Sequence, residues 1–268
     1  VFIPVDTEAL DPQTQGLLAG WCADHGLDAV LSTDGDADRP MLADRTGAVM
    51  PGDVLGALSA RALGARVICT PVSSNSMIAR MPDFDAVHLT RIGSPFVIAA
   101  MESVRAETPG ARVAGYEANG GFLLGFEAEG PAGPLAPLMT RDCLLPIVAP
   151  LVAARAAGQP LDALVTDLPA RFTAADRLQG IAPDRSAALL ATLSGDASAR
   201  AAFFDGIGRE TATDRTDGLR VHFEGEQVVH LRPSGNAPEF RCYAEAGSPE
   251  TARALVARML EKLQAALA

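Results

Sequence analysis

The stretch Ser32-Thr33-Asp34-Gly35-Asp36-Ala37-Asp38-Arg39 constrains the chain most, because it sets carboxylates at three alternate positions straight after the apolar run Ala29-Val30-Leu31. Three carboxylates bunched in one turn repel each other unless a cation sits among them, and oxygen ligands are what hard cations such as Mg²⁺ prefer. Gly35 and the small Ala37 are expected to let the backbone bend so that Asp34, Asp36 and Asp38 converge. An acidic turn using Asp for its own backbone hydrogen bonds is the plainer alternative. An EF-hand is excluded, since the positions that need Gly and Glu hold Arg39 and Arg45. A strand followed by Asp-x-Asp also fits an aspartyl-phosphate phosphatase with Asp34 as nucleophile, and on these residues that alternative stays open.

The pattern around this loop predicts an α/β fold. In residues 1–64 short strands alternate with helical periodicity, including a helix over 10–22 and a hairpin around Asp44-Arg45-Thr46-Gly47. A helix then opens at Pro51-Gly52-Asp53, with Asp53 as its N-cap, and Gly64 closes it. Residues 65–160 form a second α/β unit, with strands at 66–70 and 86–90 and a helix capped by Ser94 ahead of Pro95. Gly158-Gln159-Pro160 and the polar run to Pro169 predict a linker. From 167 to 268 strands outnumber helices, which predicts an α+β domain with a mainly antiparallel sheet: a hairpin over 218–231, a third strand at 239–245, and a long helix from Ser248-Pro249-Glu250. The opening Val1-Phe2-Ile3-Pro4-Val5 looks like a strand already in progress, so a longer parent chain is expected.

A formal net charge of -11 with no cluster of Lys and Arg argues against nucleic-acid and anionic-membrane partners. No apolar run approaches the roughly 18 residues that span a bilayer. Cys22, Cys69, Cys143 and Cys242 lie far apart with no CxxC pair, which predicts buried free thiols and a cytoplasmic setting. His25, His88, His222 and His230 share no metal-ligand or triad spacing and are expected to be ordinary surface or strand residues.

Two further loops carry chemistry. Tyr116-Glu117-Ala118-Asn119-Gly120-Gly121 sits between apolar strands, and Glu117 and Asn119, two apart in an extended loop, would face one way with a carboxylate and an amide suited to sugar hydroxyls. Arg232-Pro233-Ser234-Gly235-Asn236 combines a guanidinium, a hydroxyl, an amide and flexible backbone, the composition of a phosphate cradle, and Arg241 in the next strand is placed to point back to it. The plainer alternatives are a solvated loop for the first and an ordinary turn for the second.

The order Asp-Gly-Asp-Ala-Asp-Arg, Glu-Ala-Asn-Gly-Gly, Arg-Pro-Ser-Gly-Asn-x-Pro-x-x-Arg resembles the α-D-phosphohexomutase superfamily, above all its bacterial phosphomannomutase and phosphoglucomutase members. The resemblance implies a metal-binding α/β domain whose C-terminal part is residues 1–64, a sugar-recognition α/β domain at 65–160 and a phosphate-binding α+β domain at 167–268. It implies Mg²⁺ on Asp34, Asp36 and Asp38, with Arg39 beside a phosphoserine nucleophile. Glu117 and Asn119 would then read the sugar, and Arg232, Ser234, Gly235, Asn236 and Arg241 would bind phosphate. The implied reaction is reversible phosphoryl transfer between the 6- and 1-positions of a hexose phosphate through a hexose bisphosphate, by a monomer or dimer. Departures are plain. Tyr116, Asn119 and Gly121 stand where the usual sugar loop has Gly, Ser and His, and a similar Glu-Ala-Asn-Gly string in phosphoacetylglucosamine mutases keeps an amino sugar open as substrate. Asn236 and Ala237 replace Thr and Glu in the phosphate loop. The Ser-His-Asn-Pro type of phosphoserine loop does not occur, so the resemblance implies that it lies on a missing N-terminal domain of the same polypeptide, and the chain alone is expected to bind sugar phosphate without turning it over.

Overall fold

Apolar residues four apart, Leu18 and Cys22, give α1 (Pro12–His25) its buried stripe, and Gly26 in the left-handed conformation ends it. The computed structural model describes residues 12–235 and 237–267. The expected opening strand lies outside them, as does Asn236 of the phosphate loop. Two compact units emerge, Val1–Pro169 and Ala170–Ala268.

In the first unit β1 (Ala29–Thr33) pairs antiparallel with β2 (Pro40–Asp44), Thr33 opposite Pro40, so the acidic stretch closes a hairpin. The hairpin expected after β2 shrinks to a single Ala43–Val49 bridge. There backbone bonds from Asp44 N to Ala48 O and from Met50 N to Leu42 O close the turn, and the Asp44 carboxylate reinforces it by accepting from Thr46 N, Thr46 Oγ1 and Ala48 N. The helix that follows, α2 (Gly52–Ala62), is buried over every residue from Asp53 to Ala60. Asp53 does not cap it. Pro51 occupies the cap, and the Asp53 carboxylate instead accepts Asn75 N at 2.9 Å, tying the helix start to the loop whose Asn75 side chain caps a 3-10 turn (Ser76–Arg80).

A five-stranded mixed sheet forms the body of this unit. It uses β3 (Val67–Pro71), β4 (Ala86–Thr90), β5 (Val113–Tyr116), β6 (Phe122–Leu124) and, beyond the small hairpin of β7 (Ala128–Gly130) and β8 (Gly133–Leu135), β9 (Leu138–Asp142), in the order β4-β3-β5-β6-β9. β3 runs parallel to β4 and β5, and the remaining pairs are antiparallel. Between β4 and β5, α3 (Ser94–Glu107) starts one residue before the expected position, with Gly93 at φ +127° as its cap. After β9, Asp142 accepts the amides of Leu144 and Leu145 at the head of α4 (Leu145–Ala157). The segment expected to be a linker contains α5 (Leu161–Thr166), because Leu161 and Leu164, three apart, bury themselves in the core around α2.

The second unit begins with β10 (Phe172–Gln179), whose sequence lacks a clean apolar alternation. It continues through α6 (Pro183–Gly195), α7 (Ala197–Phe203), β11 (Glu210–Asp214), β12 (Leu219–Phe223), β13 (Val228–Pro233), β14 (Glu239–Ala246) and α8 (Pro249–Leu267). All pairs in the sheet β10-β14-β13-β12-β11 are antiparallel. Alternate residues Leu219, Val221, Phe223, Val229, Leu231, Phe240 and Cys242 share one core with Met259, Leu263 and Leu267 of α8. The intervening positions carry the polar chemistry. All four cysteines are free and buried, and burial alone pushes the Cys69 thiol up to about 12. No helix among the described residues is long and apolar enough to cross a membrane.

Candidate functional site

The Asp loop is braced from inside. Asp34 N bonds Arg39 O and Ala37 N bonds Asp34 O, while Asp34 Oδ1 accepts the amides of Asp38 and Arg39, each at 3.1 Å. The bend falls on Ala37, which takes φ +58°, and Gly35 needs no positive φ. Carboxylate oxygens from Asp34, Asp36 and Asp38 lie within 4.8 Å of one another. Three anionic oxygens at that spacing suit a hard divalent cation. Arg39 Nε lies 3.6 Å from Asp34 Oδ2 and 3.7 Å from Asp38 Oδ1.

The Glu117 loop is a tight turn, not the extended loop expected. Gly120 N bonds Glu117 O, Glu117 N bonds Gly121 O, and Asn119 Oδ1 turns back to accept Gly121 N. Glu117 is buried and Asn119 half-buried, so the amide of Asn119 has its nitrogen, rather than its oxygen, left to reach outward. The turn rests against two other elements. A side-chain carbon on Gly52 would collide with the backbone of Ala118, Asn119 and Gly120, and one on Gly120 would lie 2.7 Å from the Pro40 ring at the end of the Asp loop.

Arg141, at the end of β9, joins the two loops. Its guanidinium pairs with Asp38 Oδ2 through Nη2, and Nη1 stands 3.8 Å from Glu117 Oε2. Its stem fills the space over Gly121, where a Cβ would come within 3.0 Å of Arg141 Cδ. In the sequence Arg141 reads only as part of a helix cap; what singles it out is its sheet position, with Asp142 opposite Phe122 next to the turn.

In the second unit, Arg232 and Arg241 are direct cross-strand partners on β13 and β14. Ser234 N bonds Glu239 O at 2.8 Å and closes the Ser234-Gly235 end of the loop. Asp217 Oδ1 accepts Arg232 Nε at 3.0 Å. The backbone of Asp217 is held by His230, whose Nε2 donates to Asp217 O at 2.5 Å while its ring stacks on Tyr243. His230 Nδ1 meets no hydrogen-bond partner among the described residues. Burial is the main force holding the His230 pKa down to about 4, opposed by the bond to Asp217 O. The unfolded chain takes up this proton near pH 6.5, and the folded one refuses it until about pH 4. Stability is therefore lost as pH falls through that window, by ~3 kcal/mol at its lower end. His230→Gln is expected to flatten this acid limb in urea unfolding measured between pH 7 and pH 4.5; an unchanged difference would refute the assignment.

Comparison with known proteins matches residues 51–172 to the family described as "Phosphoglucomutase/phosphomannomutase, alpha/beta/alpha domain III" and residues 165–262 to "Phosphoglucomutase/phosphomannomutase, C-terminal domain". A phosphomannomutase of Sinorhizobium fredii is 45% identical over 267 residues, covering 100% of this chain and 56% of the relative. A phosphoglucomutase/phosphomannomutase family protein from Burkholderia thailandensis superposes with a TM-score of 0.68 at 21% identity, over 96% of this chain and 50% of that one. The Aspergillus fumigatus N-acetylphosphoglucosamine mutase, solved with GlcNAc-6P and magnesium, gives 0.58 at 15% identity, over 88% and 52%. The chain spans about half the length of these relatives. Its matched domains, taken with the likeness to the Sinorhizobium protein, make it a member of the phosphoglucomutase/phosphomannomutase family.

Proposed function

We propose that this chain is the metal-, sugar- and phosphate-binding part of an enzyme that moves a phosphoryl group reversibly between the 6- and 1-positions of a hexose phosphate, mannose or glucose, through a bisphosphate, with the phosphoryl carrier outside these 268 residues. The observation that carries it is the junction in the first unit, where three converging carboxylates and the buried Glu117 meet through Arg141. Asp34, Asp36 and Asp38 would hold Mg²⁺, as the spacing of their oxygens fits, and the ion would neutralise charge on the oxygens of the transferred phosphoryl. Arg39, wedged between Asp34 and Asp38, keeps the loop closed and offers its guanidinium to the same phosphoryl group. Glu117, with the amide nitrogen of Asn119, would accept from and donate to sugar hydroxyls, which fixes the hexose by orientation and not by charge.

Arg232, Ser234, Gly235, Asn236 and Arg241 would take the phosphate that does not react. Asp34 commits one oxygen to two backbone amides, which favours a bracing ligand over an aspartyl nucleophile. The test is a coupled assay on the complete gene product with mannose, glucose and N-acetylglucosamine 1-phosphates and a trace of hexose bisphosphate. Turnover of at least one to its 6-phosphate is expected. No turnover of any of them, or a phosphoryl adduct trapped on Asp34, would overturn the proposal.

A further inference from the structure

Register in the second sheet places Arg177 of β10 opposite Arg241 of β14, which is in turn opposite Arg232 of β13. The three guanidinium-bearing positions form one row across three strands, about 10 Å between the outer Cα atoms. Like charges directly opposite each other destabilise a sheet, so a row of three is a cost that the fold alone does not explain. Two carboxylates divide the row between them. Glu239 forms an ion pair with Arg177, Oε1 to Nε at 3.2 Å, and accepts Arg241 Nη2 through Oε2 at 3.3 Å, while Asp217 accepts Arg232 Nε at 3.0 Å. Arg177 and Arg232 are each held at Nε, and their Nη1 and Nη2 edges, the pair that grips a phosphate in bidentate fashion, have no partner among the described residues. Arg241 Nε is buried and makes no hydrogen bond among them, although the Tyr243 hydroxyl stands beside this guanidinium. Three guanidinia against two carboxylates leave a net positive patch in a chain of formal charge -11.

We infer that Arg177 is a third guanidinium of the phosphate site, and that Glu239 and Asp217 are positioning residues which hold the row with its Nη edges presented to one phosphate monoester. The inference rests on the reading of Arg232 and Arg241 as phosphate ligands, and it adds a residue from a strand 55 positions earlier in the chain that belongs to no part of that loop's motif. Asp217 reaches Arg232 because His230 pins its backbone, so the hairpin loop between β11 and β12 becomes part of the site.

The experiment is calorimetric titration of the full chain with mannose 6-phosphate, with mannose as the uncharged control. Arg177→Ala is expected to weaken mannose 6-phosphate by about ten-fold, with no change toward mannose, and Arg177→Lys to recover part of the loss. Glu239→Gln is expected to weaken binding by less, since the amide still accepts from the arginines. Thermal melting of each variant reports whether the fold is kept. If Arg232→Ala abolishes binding while Arg177→Ala leaves it unchanged, the inference fails and the phosphate reading stands. If Arg232→Ala and Arg241→Ala are also without effect, the phosphate reading itself fails.

Discussion

Glu245→Gln is expected to cost the second unit about 3–5 kcal/mol of stability, because it removes the buried negative charge that Arg171 and Arg220 share and leaves Arg171 only the exposed Glu226 carboxylate, 3.9 Å away. Glu245 Oε1 accepts Arg171 Nε at 2.9 Å and Oε2 accepts Arg220 Nη2 at 3.3 Å. Glu245, Arg171 and Arg220 are only 4%, 5% and 6% exposed, so water does not screen the loss. Arg171 also donates through Nη1 to Glu226 O at 2.7 Å, which fixes it in place and keeps it from swinging out to solvent. For a unit of about this size the change corresponds to a fall in melting temperature of more than ~10 °C. The opposite outcome is expected when the charges leave together: Arg171→Met, Arg220→Leu and Glu245→Leu combined should recover most of the loss, since an apolar cluster avoids the desolvation penalty of three ions. Denaturant unfolding of the single and triple variants decides this. A single variant that melts within 2 °C of the parent would show the triad to be energetically idle.

What the sequence disclosed and what it concealed divide along the range of the contacts. The Asp loop, the Glu117 turn and the phosphate loop were visible because each packs its chemistry into a few consecutive residues, and α8 and the β12–β13 hairpin because their apolar periods are strong. Arg141 and Arg177 were invisible for a different reason. Each earns its place by cross-strand register, Arg141 beside the Gly121 turn and Arg177 opposite Arg241, and register is a property of pairs far apart in the chain. Asp53 looks like a cap in the sequence because a carboxylate at a helix start ordinarily serves there, whereas in the fold it is buried and answers Asn75 N from another segment. Residues 158–169 look like a linker by composition, yet two leucines one helical turn apart suffice to bury α5. β10 reads as polar because both of its faces carry charge, Asp176 on one and Arg177 on the other, and only its pairing with β14 makes it a strand.

Asp36→Asn is expected to separate the metal from the fold at the Asp loop more cleanly than any other substitution. Asp34 braces the loop through two amides, and Asp38 pairs with Arg141, so changing either disturbs structure as well as ligands. Asp36 is exposed, and its carboxylate oxygen belongs to the same cluster. Without Mg²⁺ its removal takes away one of three mutually repelling charges, so the melting temperature should stay level or rise slightly. With Mg²⁺ the sign reverses. A ligand at a hundred times its dissociation constant stabilises the state that binds it by about 2.7 kcal/mol, and the parent chain should gain on that order when Mg²⁺ is added. Losing a first ligand should cost at least the ten- to hundred-fold in affinity that changes in the outer shell of a metal site typically cost, so most of this gain disappears in the variant. In the complete gene product the same substitution should lower kcat by about 10³-fold, the equivalent of ~4 kcal/mol withdrawn from the transition state. Calorimetric Mg²⁺ titration of the two chains tests the binding half of this independently of turnover. Equal affinities would remove Asp36 from the metal site and leave the loop as a braced acidic turn.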